Sequence, residues 1–176
     1  MKKISLYTTI IALALLSSLS SCLKDDSQPD FTQNQAIIEL PVGSSAGNGG
    51  GNSIAAPIPA GTVAADYFIY VNYAAPEANP NDVTVTLAVS EAALAKFNQV
   101  NGSAYPILPT AAYTLASNKV VIPAGQRQVK FPVKINASIL DPAVKYALPL
   151  AITDGGGFTV SGNFGTLISI ITLTSK

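Results

Sequence analysis

Few side chains in this sequence could carry out chemistry. The 176-residue chain contains no His and one Cys, so neither a Ser/His/Asp nor a Cys/His catalytic relay can be assembled. Zinc sites that depend on His or on several Cys are excluded for the same reason. Carboxylate chemistry remains, because two carboxylates about 5 to 10 Å apart across a cleft can hydrolyse a glycosidic bond.

The distribution of the acidic residues does not favour that chemistry. They are scattered, and the only adjacent pair is Asp25 and Asp26. The candidates for a site mostly stand beside Pro, Gly or Asn, where turns and caps account for them; they are Glu39, Asp66, Glu77, Asp82, Asp141 and Asp154. The same residues are the only candidate Ca²⁺ ligands, and no DxDxDG-like loop gathers the oxygens that Ca²⁺ requires. We therefore predict a protein that is not an enzyme and has no catalytic residue, metal or cofactor.

The charge balance argues against nucleic acid as a partner. Ten basic residues face ten acidic ones, and no basic cluster follows Lys2 and Lys3. Phosphate backbones are bound by clustered Lys and Arg side chains. We therefore predict no nucleic-acid partner.

The only thiol, Cys22, ends a segment with the layout of a secretory signal. Two Lys residues precede an apolar run over residues 4–19, which is shorter than the about 20 residues that span a bilayer. The run ends in Leu-Ser-Ser-Cys at residues 19–22, which resembles the bacterial lipobox. The resemblance implies a signal peptide at 1–21 and a lipid on Cys22, whose two or three acyl chains hold a protein durably on a membrane. The alternative is an ordinary secretory signal with a chance cysteine.

Lys24, Asp25 and Asp26 directly follow the cysteine. They are similar to the short acidic signal that directs Bacteroidetes lipoproteins to the outside of the outer membrane. The alternatives are the periplasmic face of that membrane and a plain solvated linker. In each case residues 22–35 are polar enough to serve as a lipidated tether before a domain at 36–176.

The remaining chain is predicted to fold mainly as strands. Residues 83–89 and 129–135 alternate apolar with polar or small side chains, which indicates half-buried strands with Lys130 and Lys134 on the wet face. Pro132 and Pro149 cannot donate a ladder hydrogen bond, so each predicts a position that faces solvent or lies at an edge. The eight predicted strands are 36–40, 67–73, 83–89, 112–115, 119–122, 129–135, 148–152 and 166–174. Short strands separated by Pro, Gly, Asn and Asp turns favour an all-β fold, an antiparallel β-sandwich.

One short helix is predicted after residue 90. Ser90 can cap its start, Leu94, Phe97 and Val100 recur along one side, and Gly102 can end it. The Gly-rich stretch at 43–53 lacks the Gly-Lys-Ser/Thr ending of a phosphate-binding loop, so we predict a flexible surface loop there.

The densest aromatic stretch, residues 67–73, is the best candidate for a binding site. On a strand, Phe68 and Tyr70 lie on the face opposite Tyr67, Ile69 and Val71, so both faces carry apolar groups. Exposed aromatic rings can stack on sugar rings, and we predict Phe68 and Tyr70 as ligand-binding residues. The alternative is that the helix or the Gly-rich loop covers this second face.

Residues 166–174 are apolar on both faces. A central strand of the sandwich accounts for this pattern most simply. The alternative is a donor strand that completes the sheet of a neighbouring molecule, as in pilus assembly.

Five short segments between residues 59 and 153 carry a family resemblance. They are Tyr105-Pro-Ile-Leu-Pro109, Tyr113-Thr-Leu115, Val121-Ile-Pro-Ala-Gly125, Leu140-Asp-Pro142 and Tyr146-Ala-Leu-Pro-Leu150. In order and spacing they resemble a Bacteroidetes family catalogued as domain of unknown function 1735, found at the N-termini of surface lipoproteins encoded with glycan-utilisation systems. The resemblance implies an immunoglobulin-like sandwich and a lipidated surface protein. It carries over no catalytic residue, because these positions serve packing and turns.

We therefore predict an outer-membrane surface lipoprotein that is a non-catalytic accessory or glycan-binding component of a polysaccharide-utilisation system. Its expected partners are the membrane, through the lipid on Cys22, and either a glycan or neighbouring surface proteins. The alternative is a structural adhesin or pilus-like subunit that assembles by strand exchange.

Overall fold

The computed structural model of the chain describes residues 35–41 and 52–175, all within one compact unit, Asn34–Lys176. The predicted signal peptide, Cys22, Lys24, Asp25 and Asp26 lie outside the described residues, as does nearly all of the Gly-rich stretch. Statements about those segments therefore stay predictions. In the described part of the chain, no helix has the length and apolarity needed to cross a bilayer.

The described residues form ten strands in two sheets of five, and the odd-numbered strands make one sheet. This front sheet contains β1 (Ile37–Glu39), β3 (Ala65–Ala74), β5 (Tyr113–Leu115), β7 (Gln128–Ile135) and β9 (Thr159–Val160). The back sheet contains β2 (Ser53–Pro59), β4 (Val83–Val89), β6 (Lys119–Ile122), β8 (Tyr146–Asp154) and β10 (Thr166–Thr174). Their spatial orders are β5-β7-β3-β1-β9 and β2-β10-β8-β4-β6.

Side chains from both sheets share one hydrophobic core, which confirms the predicted sandwich. Alternation along β4 buries Val83, Val85 and Leu87, while alternation along β7 buries Phe131 and Val133. Every predicted strand is present, and β4, β6 and β10 have the predicted bounds. Burying these alternate apolar side chains on both inner faces stabilises the sandwich.

The sheets are not wholly antiparallel, which corrects the prediction. β1 pairs with β9 in parallel, and β2 pairs with β10 in parallel from Ser53 opposite Ile168 to Pro59 opposite Thr174. A parallel pair needs a long crossover rather than a tight turn, and here most of the domain lies between the partners. Such pairing leaves no signal in a local sequence pattern.

Both β2 and β9 were missing from the predicted strands. β2 contains Pro57 and Pro59, and it lies at the edge of the back sheet, where a residue without an N–H is tolerated. β9 has only two residues.

The two prolines within predicted strands have different environments. Pro132 is exposed and the β5 pairing, which covers only residues 133–135 of β7, does not reach it, so its predicted solvent-facing position is confirmed. Pro149 is buried in β8, an interior strand, so the expectation of solvent or an edge is wrong there. The β4 pairing ends at Leu150, and the Pro149 carbonyl accepts a hydrogen bond from the Ser90 N–H at 3.0 Å. A gap in the ladder therefore accommodates the ring inside the sheet.

Helix α1 (Glu91–Asn101) covers the outer face of the back sheet with an apolar side, which confirms the predicted helix. The Ser90 hydroxyl accepts a hydrogen bond from the Ala93 N–H, and Gly102 ends the helix in the left-handed conformation at φ 59°. Leu94 and Phe97 pack against Ala147 of β8 and Ile168 of β10. Two 3₁₀ turns, Thr110–Ala112 and Ala137–Ile139, complete the described helical elements.

Strand β10 lies inside the back sheet, as the central-strand prediction stated. It pairs with β2 on one side and with β8 on the other. Leu167, Ser169 and Ile171 face the core, while Ile168 faces the helix. Because both edges of β10 are occupied within the chain, its apolar character is explained without a neighbouring molecule.

Candidate functional site

Strand β3 supports the candidate site from beneath. Ile69, Val71 and Tyr73 are buried on its inner face, and Tyr67 is partly buried beside them. The Tyr67 hydroxyl donates a hydrogen bond to the Ser169 Oγ at 2.8 Å, which joins the front sheet to the back sheet across the core. Burial raises the pKa of Tyr67 above its usual value of 10.0, and the hydrogen bond to Ser169 opposes that rise. The inner face therefore fixes the backbone on which the outer side chains stand.

The outer face of β3 presents two aromatic rings to solvent. Phe68 is 43% exposed and Tyr70 is 37% exposed. Their ring centroids are 5.4 Å apart with an interplanar angle of 80°, the edge-to-face arrangement that aromatic pairs favour. Helix α1 lies on the other sheet and leaves the rings uncovered, so the alternative in which the helix covers this face is wrong. The Gly-rich loop of the other covering alternative lies almost entirely outside the described residues.

Strand β7 places a lysine and a proline beside the rings. In the register of β3 and β7, Tyr70 stands opposite Lys130 and Phe68 stands opposite Pro132. The Lys130 Nζ is 4.2 Å from the centroid of the Phe68 ring, which is within the range of a cation–π interaction. We call Phe68, Tyr70, Lys130 and Pro132 the aromatic face.

Polar pairs flank the aromatic face at both ends of β3. Lys134 of β7 forms a salt bridge with Asp66 of β3, directly opposite in register. At the other end the Asn72 amide donates a hydrogen bond to the Glu39 Oε1 of β1 at 2.8 Å. The face therefore combines an apolar centre with hydrogen-bonding groups at its rim, as surfaces that bind polar ligands commonly do.

The sequence indicated part of this arrangement. Alternation placed Phe68 and Tyr70 on one side of a strand and Lys130 on a wet face, and the structure places all three on the same surface. Sequence reasoning missed the neighbourhood of Lys130 and Tyr70, because about sixty residues separate β3 from β7 and local patterns do not report register. Phe68 and Tyr70 as ligand-binding residues remain a prediction.

Five of the six acidic candidates have structural partners. Glu39 and Asp66 make the flanking contacts described above, and three others accept backbone N–H groups in turns: Asp82 from Ala124 at 2.8 Å, Asp141 from Ala143 at 2.9 Å, and Asp154 from Gly156 at 2.9 Å. Across residues 35–41 and 52–175, no group of three or more acidic side chains is placed to hold a metal ion. Turn chemistry accounts for Asp82, Asp141 and Asp154, and pairing between strands accounts for Glu39 and Asp66.

The segments that carry the family resemblance serve packing and turns. Leu108 donates its N–H to the Ala147 carbonyl at 2.7 Å, and Ala147 donates to Pro106 at 2.8 Å, so the first segment pairs with the last. Gly125 has φ 77° and donates its N–H to the Asn79 carbonyl at 2.8 Å. None of these segments contributes to the aromatic face, which the resemblance therefore does not describe.

Comparison with known proteins places the fold among Bacteroides proteins. A family model for an N-terminal domain matches residues 34–159. A candidate carbohydrate-binding protein from Bacteroides ovatus is 13% identical with a TM-score of 0.63, and a multidomain protein including DUF1735 from the same species is 20% identical with a TM-score of 0.59. EndoBT-3987 of Bacteroides thetaiotaomicron, solved with a Man5GlcNAc product, is 17% identical with a TM-score of 0.57. No curated protein sequence matches the chain.

The matched proteins are longer than this chain. The three structural matches cover 78%, 80% and 68% of the chain, but only 37%, 45% and 28% of their own lengths in the same order. The chain therefore spans less than half of each of these proteins. At these identities the likeness concerns the fold alone.

Proposed function

The chain belongs to the family of N-terminal domains found in DUF1735 proteins of Bacteroides, and from this premise we propose that it is a non-catalytic glycan-binding accessory protein. In this proposal the aromatic face of the front sheet is the binding surface. The protein acts at the outer membrane, as a lipid-anchored component of a polysaccharide-utilisation system.

The observation that carries the proposal is the exposure of Phe68 and Tyr70 on a strand whose inner face is fully used for packing. A sandwich core needs only one face of each sheet, so rings on the second face do not serve the core. Edge-to-face rings offer an apolar platform against which the C–H groups of a sugar can pack, while Tyr70 and Lys130 offer hydrogen-bonding groups beside it.

The related structures support the binding class. One match is a candidate carbohydrate-binding protein, and another is a glycosidase solved with a glycan product. The enzyme shares only 28% of its length with this chain. In the described residues five of the six candidate carboxylates are occupied in turns and pairs, which supports a binding role over a hydrolytic one.

Binding is tested with the full-length protein, purified in detergent, on insoluble polysaccharides and on a glycan array. We expect Phe68→Ala with Tyr70→Ala to weaken binding at least about tenfold, since aromatic anchors dominate such contacts. Val121→Ala is the matched control, because Val121 is also 43% exposed but lies on the back sheet. If the double variant is retained on the polysaccharides as well as the wild-type protein is, the aromatic face is not the binding site.

Anchoring is tested separately by Cys22→Ala, which we expect to release the mature protein from the membrane fraction. If the variant stays in the membrane, Cys22 is not the anchor. Surface display predicts that protease added to whole cells removes the protein, and that replacing Lys24, Asp25 and Asp26 with Ala protects it. Equal cleavage of both forms would show that these three residues are not an export signal.

A further inference from the structure

We infer that the aromatic face selects glycans that carry an anionic substituent, a carboxylate or a sulfate ester. The inference deepens the proposed function and rests on it. It follows from the charges around the two rings rather than from the rings themselves.

The cation nearest to the rings has no anionic partner among the described residues. Lys130 is exposed, and its ammonium group lies over the Phe68 ring, 4.2 Å from the centroid. The salt bridge in the described chain is instead formed by Lys134 with Asp66. The positive charge of Lys130 is therefore available to a ligand, whereas that of Lys134 is already opposed.

The charges are arranged asymmetrically across β3. Lys130 lies on β7, on one side of the rings, and Glu39 lies on β1, on the other side. Lys134 and Asp66 pair with each other and add no net charge. Glu39 is held by the Asn72 amide, so its carboxylate stays beside this end of the face. An anionic ligand is attracted toward β7 and repelled from β1, which fixes one orientation and disfavours the reverse.

The position of the ammonium suits a substituent on a stacked sugar ring. A sugar packed against Phe68 and Tyr70 has ring substituents near the Lys130 Nζ, because that atom lies 4.2 Å from the Phe68 ring centroid. A neutral hydroxyl can accept a hydrogen bond from the ammonium group, but a carboxylate or sulfate oxygen makes a charge-assisted bond that is roughly twice as strong. The difference between these two bonds is the source of the selectivity.

The test compares galacturonate oligosaccharides with their methyl esters, which share a backbone and differ in charge. Using the full-length protein at low salt, we expect the free acids to bind about two- to fivefold more tightly than the esters, as for an exposed ion pair. Raising the salt concentration should reduce this ratio. Lys130→Gln should bring it to about one, whereas Lys130→Arg should preserve it. Lys119→Gln, which removes the same charge from an exposed position on β6 of the back sheet, should leave this ratio unchanged.

The outcomes separate the inference from the proposed function. If the charged and neutral forms bind equally in the galacturonate pair and in the dextran pair, and binding depends on Phe68 and Tyr70, glycan binding stands and the anionic selectivity is overturned. If the ratio persists in Lys130→Gln, or falls equally in Lys119→Gln, Lys130 is not its source and the inference is also overturned. If neither sugar binds and no glycan on the array does, both proposals fail. A parallel comparison of dextran sulfate with dextran shows whether a sulfate substitutes for the carboxylate; a Lys130-dependent preference in either pair supports the inference.

Discussion

The hydrogen bond between Tyr67 and Ser169 should couple the stabilities of the two sheets. The donor is on β3 and the acceptor on β10, 2.8 Å apart, and Ser169 has no exposed surface. Tyr67→Phe leaves the buried serine hydroxyl without its partner, which costs about 2 kcal/mol. Ser169→Ala leaves the phenol, which is only partly buried and can regain some hydration, so we expect about 1 kcal/mol. When both hydroxyls are removed, no hydroxyl is left without a hydrogen-bond partner. The free energy of unfolding of the double variant should therefore fall by about 2 kcal/mol rather than by about 3 kcal/mol.

The double-mutant cycle is measured by urea unfolding of the four proteins, followed by far-ultraviolet circular dichroism because the chain has no Trp. A coupling free energy of about 1 kcal/mol is expected, with midpoints of thermal unfolding shifted by about 3 °C per kcal/mol. Tyr70→Phe is the matched control, since this exposed tyrosine lies on the same strand and should change stability by less than about 0.5 kcal/mol. Additive single effects would refute the reasoning, because they would show that the two hydroxyls stabilise the domain independently.

Three further predictions concern pH, a turn and the helix. Because the pKa of Tyr67 is raised in the folded state, the stability that Tyr67 contributes is fully present below pH 10 and is lost as the pH rises through the folded-state pKa. The difference in the free energy of unfolding between wild type and Tyr67→Phe, measured by urea unfolding, should therefore shrink above about pH 10 and not below it. Gly156→Ala should lower the free energy of unfolding by more than about 2 kcal/mol, because an added Cβ would lie 2.5 Å from the Thr84 carbonyl oxygen of β4. Gly157→Ala has open space around its Cβ and should cost only about 1 kcal/mol, from its φ of 92°. Equal losses in the two variants would show that the clash at Gly156 is not the cause. Ser90→Ala removes the helix cap and should cost about 1 kcal/mol in the same assay, and an unchanged stability would show that the cap is dispensable.

The fold was largely predictable where the local pattern is strong. β4 alternates without a fault and β10 is apolar on both faces, and both have the predicted bounds. β2 could not be found in this way, because Ala, Pro and a preceding run of Gly give no strand pattern. It forms because β10 offers it a partner more than a hundred residues further along the chain. Pro149 was misplaced for a related reason, since the gap in the β4 ladder that accommodates it depends on tertiary pairing.

The candidate site was likewise predictable from the sequence only in part. Which side chains of β3 point outward follows from a period of two, so Phe68 and Tyr70 could be named from the sequence. Which residues stand beside them depends on register, and a shift of one residue in β7 would replace Lys130 by an inward-facing side chain. The aromatic half of the site was therefore predictable, and its charged half was not.

The interior position of β10 bears on how the domain folds. Strand β10 separates β2 from β8, so the back sheet cannot close until residues 166–174 are available. The chain must lose the entropy of closing the loop between β2 and β10 before the contacts between these strands stabilise it. Folds dominated by such distant pairing take roughly milliseconds to seconds to form. Folding of this domain is therefore expected to wait until β10 has been synthesised. A ribosome-bound or truncated chain that ends before Thr166 should remain open to proteases and chaperones.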